Sequence, residues 1–110
     1  MRNYKPRSVS KGTCYISGPI TGNPYEEVKS RFERCANALV RRGYRPVNPL
    51  DNGLPIHAAW EEHMAADIVE LTRCSSIYMM TGWEDSHGAR LEHAIAQKLN
   101  FEVIYEDATD

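Results

Sequence analysis

The sequence predicts a three-layer α/β domain: a four-stranded parallel sheet in the order 2-1-3-4, with helices on both faces. Three observations carry that prediction. Short β-rich runs alternate with stretches of helical periodicity to give β-α-β-α-β-α-β, an order that calls for parallel strands joined by right-handed crossovers. The run Ser76 to Met80 is apolar enough for a central strand covered on both faces. Pro46 marks the second strand as an edge, because proline donates no ladder hydrogen bond. A chain of 110 residues, 42% hydrophobic and 25% charged, suits one such domain.

Residues 1–11 are polar and unpatterned and are expected to form a flexible basic tail, with Arg2, Lys5, Arg7 and Lys11 as a solvated lead-in. The domain is expected over 12–106, and 107–110 as an acidic tail. Thr13 to Ser17 is the first strand, broken by Gly18-Pro19. Asn23, Pro24 and Glu26 read as N-cap, first helical position and first-turn acid of a helix. Val28, Phe32, Cys35, Ala36, Leu39 and Val40 form its inward stripe, and Gly43 its stop. Tyr44 to Val47 is the second strand, and 48–55 a turn-rich loop. A second helix spans about Ala58 to Arg73, with Trp60, Met64, Ile68 and Leu71 inward and Asp67 beside them. Cys74 to Met80 is the third strand. A third helix follows from about Ser86 to Leu99, with Ala89, Leu91, Ala94, Ile95 and Leu99 inward; Phe101 to Tyr105 is the last strand.

Charge and composition exclude several classes. A net charge of −2 argues against a nucleic-acid polymer as partner, since phosphate neutralisation needs clustered basic residues. No apolar run approaches the roughly 18 residues of a membrane span, and no signal-peptide pattern opens the chain. Cys14, Cys35 and Cys74 are far apart and odd in number, and read as reduced buried thiols of a cytoplasmic protein. His57, His63, His87 and His93 do not form a metal-binding spacing, and no cofactor is expected.

In the order 2-1-3-4 the topological switch falls between the first and third strands, where open α/β sheets bind ligands at the strands' carboxyl ends. Loops 18–23 and 81–88 then share one crevice. Gly18, Pro19, Ile20, Thr21 and Gly22 form either a phosphate- or sugar-contacting turn or simply a tight turn; without Gly-x-Gly-x-x-Gly or Gly-Lys-Ser/Thr they do not read as a dinucleotide or NTP site. Glu92, early in the third helix, is the expected chemical centre. With Asp67 it supplies two carboxylates, the usual equipment for cleaving a glycosidic bond, and the Tyr15 phenol is suited to orient the attacking one. Taken alone, Asp67 also reads as a solvated helix carboxylate. Trp83 either stacks on a planar base or caps the core. Asp85 and Ser86 either meet ribose hydroxyls or phosphate, or cap the third helix. Trp60 and Met64, Met79 and Met80 read as core, and His87 alone of the histidines faces the crevice.

Tyr15-Ile16-Ser17-Gly18-Pro19-Ile20-Thr21-Gly22, Asn48-Pro49, Asp67-Ile68 and Ser86-x-Gly88-Ala89-x-x-Glu92 together resemble the nucleoside 2-deoxyribosyltransferase superfamily, which includes deoxynucleoside 5′-monophosphate N-glycosidases. Trp60-x-x-x-Met64-x-x-Asp67 and Gly82-Trp83-x-x-Ser86-x-Gly88-Ala89 resemble its small phage and prophage branch. The resemblance implies a Rossmann-like fold, with Glu92 as nucleophile on the anomeric carbon, Asp67 positioning or protonating the leaving base, and Tyr15 orienting the glutamate. It implies that 18–22 lie along sugar or phosphate, that Ser86 and Gly88 contact a 5′-phosphate, and that the chain forms a homodimer or larger homo-oligomer. Thr21 stands where the monophosphate N-glycosidases carry arginine, and the chain is shorter than the transferases by about one strand. The expected function is therefore N-glycosidic cleavage of a (deoxy)nucleoside or its monophosphate, by hydrolysis or base exchange. The alternatives are a non-catalytic nucleotide-binding or sensing module and a structural protein of phage origin.

Overall fold

In the computed structural model, which describes residues 11–107, four strands alternate with three helices. The strands are β1 (Thr13–Ser17), β2 (Arg45–Val47), β3 (Ser76–Met79) and β4 (Glu102–Tyr105); the helices are α1 (Tyr25–Arg41), α2 (Trp60–Thr72) and α3 (His87–Lys98). All three pairings are parallel and the order is β2-β1-β3-β4, as the alternation predicts. Pro46 faces Cys14 in the register of the edge strand β2. The expectations for 1–10 and 108–110 lie outside the described residues. Lys11, assigned to the tail, donates its backbone N–H to Gly43 O at 3.0 Å and holds its ammonium 5.4 Å from the Tyr44 ring centroid. No helix among the described residues is long and apolar enough to cross a membrane.

Side chains alternate across the pleat and build two cores. Cys14 and Ile16 of β1, with Tyr78 and Met80, pack against Val28, Phe32 and Leu39 of α1. Tyr15, Ile77 and Met79 pack against Leu71 of α2 and Ala89 and Ala96 of α3. One helix thus covers one face and two cover the other. The same alternation turns Tyr15 and Ser17 together toward α3. The three cysteines are free and buried, and burial pushes the Cys14 thiol up to about 11.

Several local expectations are corrected. Helix α1 begins at Tyr25, with Pro24 (φ −58°, ψ 133°) as its cap and no side-chain cap bond. The extended ψ of Pro24 delays the first turn by one residue, and Asn23 Nδ2 donates instead to Thr21 O. Val40 is 58% exposed. On α3 the buried residues are Ala89, Glu92 and Ala96, while Leu91 and Leu99 are exposed and Ala94 is too. The helix is rotated relative to its most apolar stripe, which carries a glutamate into the interior. Met64, Met79 and Met80 are buried as expected, but Trp60 is not. Gly43 (φ +94°) ends α1 in the left-handed region that favours glycine.

Gly18 is set by close approach. Met80 N donates to Ser17 O at 2.8 Å, which brings the β3 end against β1, and a Cβ on Gly18 would lie 2.6 Å from Met80 Sδ and 2.7 Å from Met80 Cβ. The Cβ cannot swing aside without moving the strand. Gly18→Ala is therefore expected to destabilise by about 1–3 kcal/mol, measured as a lower urea midpoint at unchanged slope.

Candidate active site

Glu92 is 5% exposed and accepts two hydrogen bonds from the sheet: Tyr15 Oη donates to Oε2 at 2.8 Å and Ser17 Oγ to Oε1 at 2.6 Å. Both donors come from alternate positions of β1. Ser86 Oγ accepts from Ala89 N at 3.2 Å and caps α3, so Glu92 points from the helix's second turn toward the carboxyl end of β1.

Burial disfavours the charged carboxylate, the two hydroxyl donors favour it, and the charge of Asp67 opposes it. The net effect pushes Glu92 up to about 7. Burial and the neighbouring Glu92 charge hold Tyr15 well above its ordinary value, so the phenol stays protonated and donates. Removing a donor to the ionised form raises a carboxyl's pKa. Ser17→Ala is thus expected to move the Glu92 titration above about 7, read from its carboxyl-carbon NMR shift.

Asp67, also 5% exposed, accepts from Asn52 Nδ2 at 3.0 Å. The same nitrogen meets His63 Nδ1 at 3.0 Å, and His63 Nε2 meets Pro55 O at 3.1 Å. These contacts fit a His63 ring that accepts at Nδ1 and donates from Nε2. Asn52 Oδ1 in turn accepts from Leu54 N, which pins the 52–55 turn to α2. Burial raises Asp67 above the ordinary carboxyl range, and the Asn52 hydrogen bond opposes the rise.

Tyr15, Asp67 and Glu92 line one cavity of about 990 Å³. Gly18, Pro19, Ile20 and Thr21 border it from the loop after β1; Asp85, Ser86 and Gly88 border it from the loop after β3. A Cβ on Gly88 would lie 3.1 Å from Met64 Sδ, so the start of α3 fits closely against α2. The loop after β3 is braced at Thr81, whose N–H donates to Glu106 Oε1 at 2.7 Å and whose carbonyl accepts from Arg31 Nη2 at 3.1 Å.

Two expected site residues stand apart. Gly22 (φ +87°), where a Cβ would meet nothing within 4 Å, serves the turn and is not part of the cavity wall. Trp83 turns away: its ring stacks on His93 with centroids 4.2 Å apart and lies 6.2 Å from Tyr105. Of the two readings of Trp83, base stacking or capping the fold, this placement matches the second. Sequence reasoning missed Ser17, Asn52 and His63 at the site. Period-two alternation with Tyr15 would have found Ser17; nothing local marks Asn52. Among the described residues no group of three His, Cys, Asp or Glu side chains is placed to hold a metal ion.

An open parallel sheet with paired buried carboxylates at its topological switch defines the class: an α/β protein with a pocket at the strands' carboxyl ends. The chain belongs to the family described as "Domain of unknown function (DUF4406)", which matches residues 12–105. No curated protein matches the chain. Among solved structures it is similar to a 2-desoxiribosyltransferase from Leishmania mexicana, with a TM-score of 0.65 and 18% identity, over 84% of this chain and 62% of that one. The likeness is one of fold, and the chain spans less than two thirds of that enzyme's length.

Proposed function

We propose that this domain, taken as residues 12–106, cleaves the N-glycosidic bond of a (deoxy)nucleoside or its 5′-monophosphate, with Glu92 as nucleophile. The observation that carries the reading is the Glu92 carboxylate, buried beside the cavity and held by Tyr15 and Ser17 through one hydrogen bond to each oxygen. A glutamate that served only the helix dipole would stay in water; this one is desolvated, which sharpens its reactivity, and oriented, which fixes its approach. The fold shared with a desoxiribosyltransferase supports the same reading.

In the proposed reaction an ionised Glu92 oxygen attacks the anomeric carbon as the bond to the base nitrogen breaks. The base departs with that electron pair and takes a proton, from Asp67 or from water. The resulting glycosyl ester is then attacked by water, which completes hydrolysis, or by an incoming base, which completes transfer; the attacking group gives up its proton to the Asp67 carboxylate or to water, and Glu92 leaves as carboxylate in either case. Tyr15 and Ser17 hold the carboxylate before attack and accept its return. The chain is proposed to act as a homodimer or larger homo-oligomer, which light scattering at micromolar concentration tests.

The deciding experiment incubates the protein with a panel of nucleosides and 5′-monophosphates and follows free base by chromatography, with and without an added second base. Released base that disappears in Glu92→Gln supports the reading. Calorimetric binding with no base released over a long incubation overturns it in favour of a nucleotide-binding module.

A further inference from the structure

We propose that Trp60 and His87 form the aromatic platform on which the planar base stacks, the role that Trp83 does not fill. The inference rests on the reading of the cavity as a nucleoside or nucleotide site and names the residues that recognise the base.

Trp60 opens α2 and His87 opens α3. Their ring centroids are 5.6 Å apart with planes tilted by 33°, and both residues line the cavity that holds Glu92 and Asp67. Trp60, His63, Met64 and Asp67 follow the i, i+3, i+4, i+7 spacing of one helix face, and all four border the cavity. The face is graded: Asp67 is 5% exposed, Met64 8% and Trp60 43%. It therefore runs from a buried carboxylate at the inner end to an open indole at the mouth. A nucleoside whose anomeric carbon sits at Glu92 directs its base outward along this face, past Asp67 and onto the indole.

Folding alone gives no reason for an indole at this position. A large apolar ring stabilises a fold by leaving water, and Trp60 keeps much of its surface wet. A stacking platform needs that exposure, because the ring must offer a face to a ligand and every base has a π-face to meet it. Trp83 has the opposite environment, its ring face taken by His93 at 4.2 Å.

The chain has two tryptophans, one in the cavity wall and one outside it, so intrinsic fluorescence separates them. In Glu92→Gln combined with Trp83→Phe, Trp60 is the sole tryptophan. Titration with deoxyadenosine, deoxycytidine and their 5′-monophosphates is expected to quench it saturably with the ligands that bind, whereas deoxyribose 5-phosphate, which lacks a base, leaves it unquenched. In Glu92→Gln, adding Trp60→Leu is expected to raise the calorimetric Kd about tenfold or more, and Trp60→Phe to stay within about threefold of the parent. Trp60 lies largely outside the core, and an unchanged thermal midpoint in Trp60→Leu separates lost stacking from lost fold.

A saturated complex with unquenched Trp60, or a Kd unmoved by Trp60→Leu, overturns the platform even where base release proves the glycosidase. Quenching by nucleotides with no base released supports the platform while the cleavage reading fails. If no nucleoside or nucleotide of the panel binds, both fall.

Discussion

Glu92→Gln is expected to lower base release by about 10⁴-fold or more and, at pH 8, to make the protein more stable. The amide keeps the shape of the carboxyl, accepts from Tyr15 and donates to Ser17, but has no lone pair suited to attack. The stability gain follows from burial. Glu92 titrates at about 7 in the fold, against 4.5 for a free glutamate. Between those values the folded state holds a proton that the unfolded chain has lost, so wild-type stability falls as pH rises through this window. Below pH 4.5 both states are protonated and the penalty vanishes. Above 7 it is complete, at about 3 kcal/mol. Urea unfolding should therefore show Glu92→Gln more stable than wild type by up to that amount at pH 8 and nearly equal to it at pH 4. A gain of the same size at both pH values would sink the idea that ionisation of Glu92 is the destabilising event. Buried charge at the cost of fold stability is the usual signature of a site shaped for chemistry.

Asp67→Asn is expected to cost about 10²–10⁴-fold in kcat for ordinary bases, the range of a general acid. Asn52 Nδ2 still finds an oxygen acceptor at position 67, so the local structure is kept. Two readouts separate proton donation from positioning. A substrate whose base is already cationic, such as a 7-methylpurine nucleoside, leaves without needing a proton and should lose far less. The kcat/KM profile should also change shape. If Asp67 is the proton donor, the proposed reaction needs Glu92 ionised and Asp67 protonated together, which gives a bell whose limbs belong to the pair. In Asp67→Asn one requirement is gone and so is the charge that raises Glu92. A single limb should remain, rising with pH and centred below about 7. Equal losses for both substrates would make Asp67 a positioning residue.

How much of the site is legible in the sequence differs residue by residue. Glu92 stands out by following a buried strand and a Ser-capped turn, which are local signals. Its depth does not: the apolar residues of α3 suggest Leu91 and Leu99 inward, and the opposite rotation, with Ala89, Glu92 and Ala96 buried, is chosen by the sheet it packs on. The Asn52 contact to Asp67 joins a loop to a helix fifteen positions on. No periodicity connects the two.

The sequence by itself determined the architecture. The periods of 2 and 3.6, the order of elements and the proline of the edge strand are properties of neighbouring residues, and they call for a parallel sheet with right-handed crossovers, for which 2-1-3-4, with a crevice between the β1 and β3 loops, is the expected order. Only the tertiary structure decided which side chains share that crevice. Tyr15 and Ser17 meet Glu92 across 77 and 75 positions of chain, and of two tryptophans Trp60 borders the cavity while Trp83 stacks on His93. Such meetings depend on the rotation of each helix about its axis as it packs against the sheet, and a rotation set by contacts distant in sequence leaves no local pattern to read.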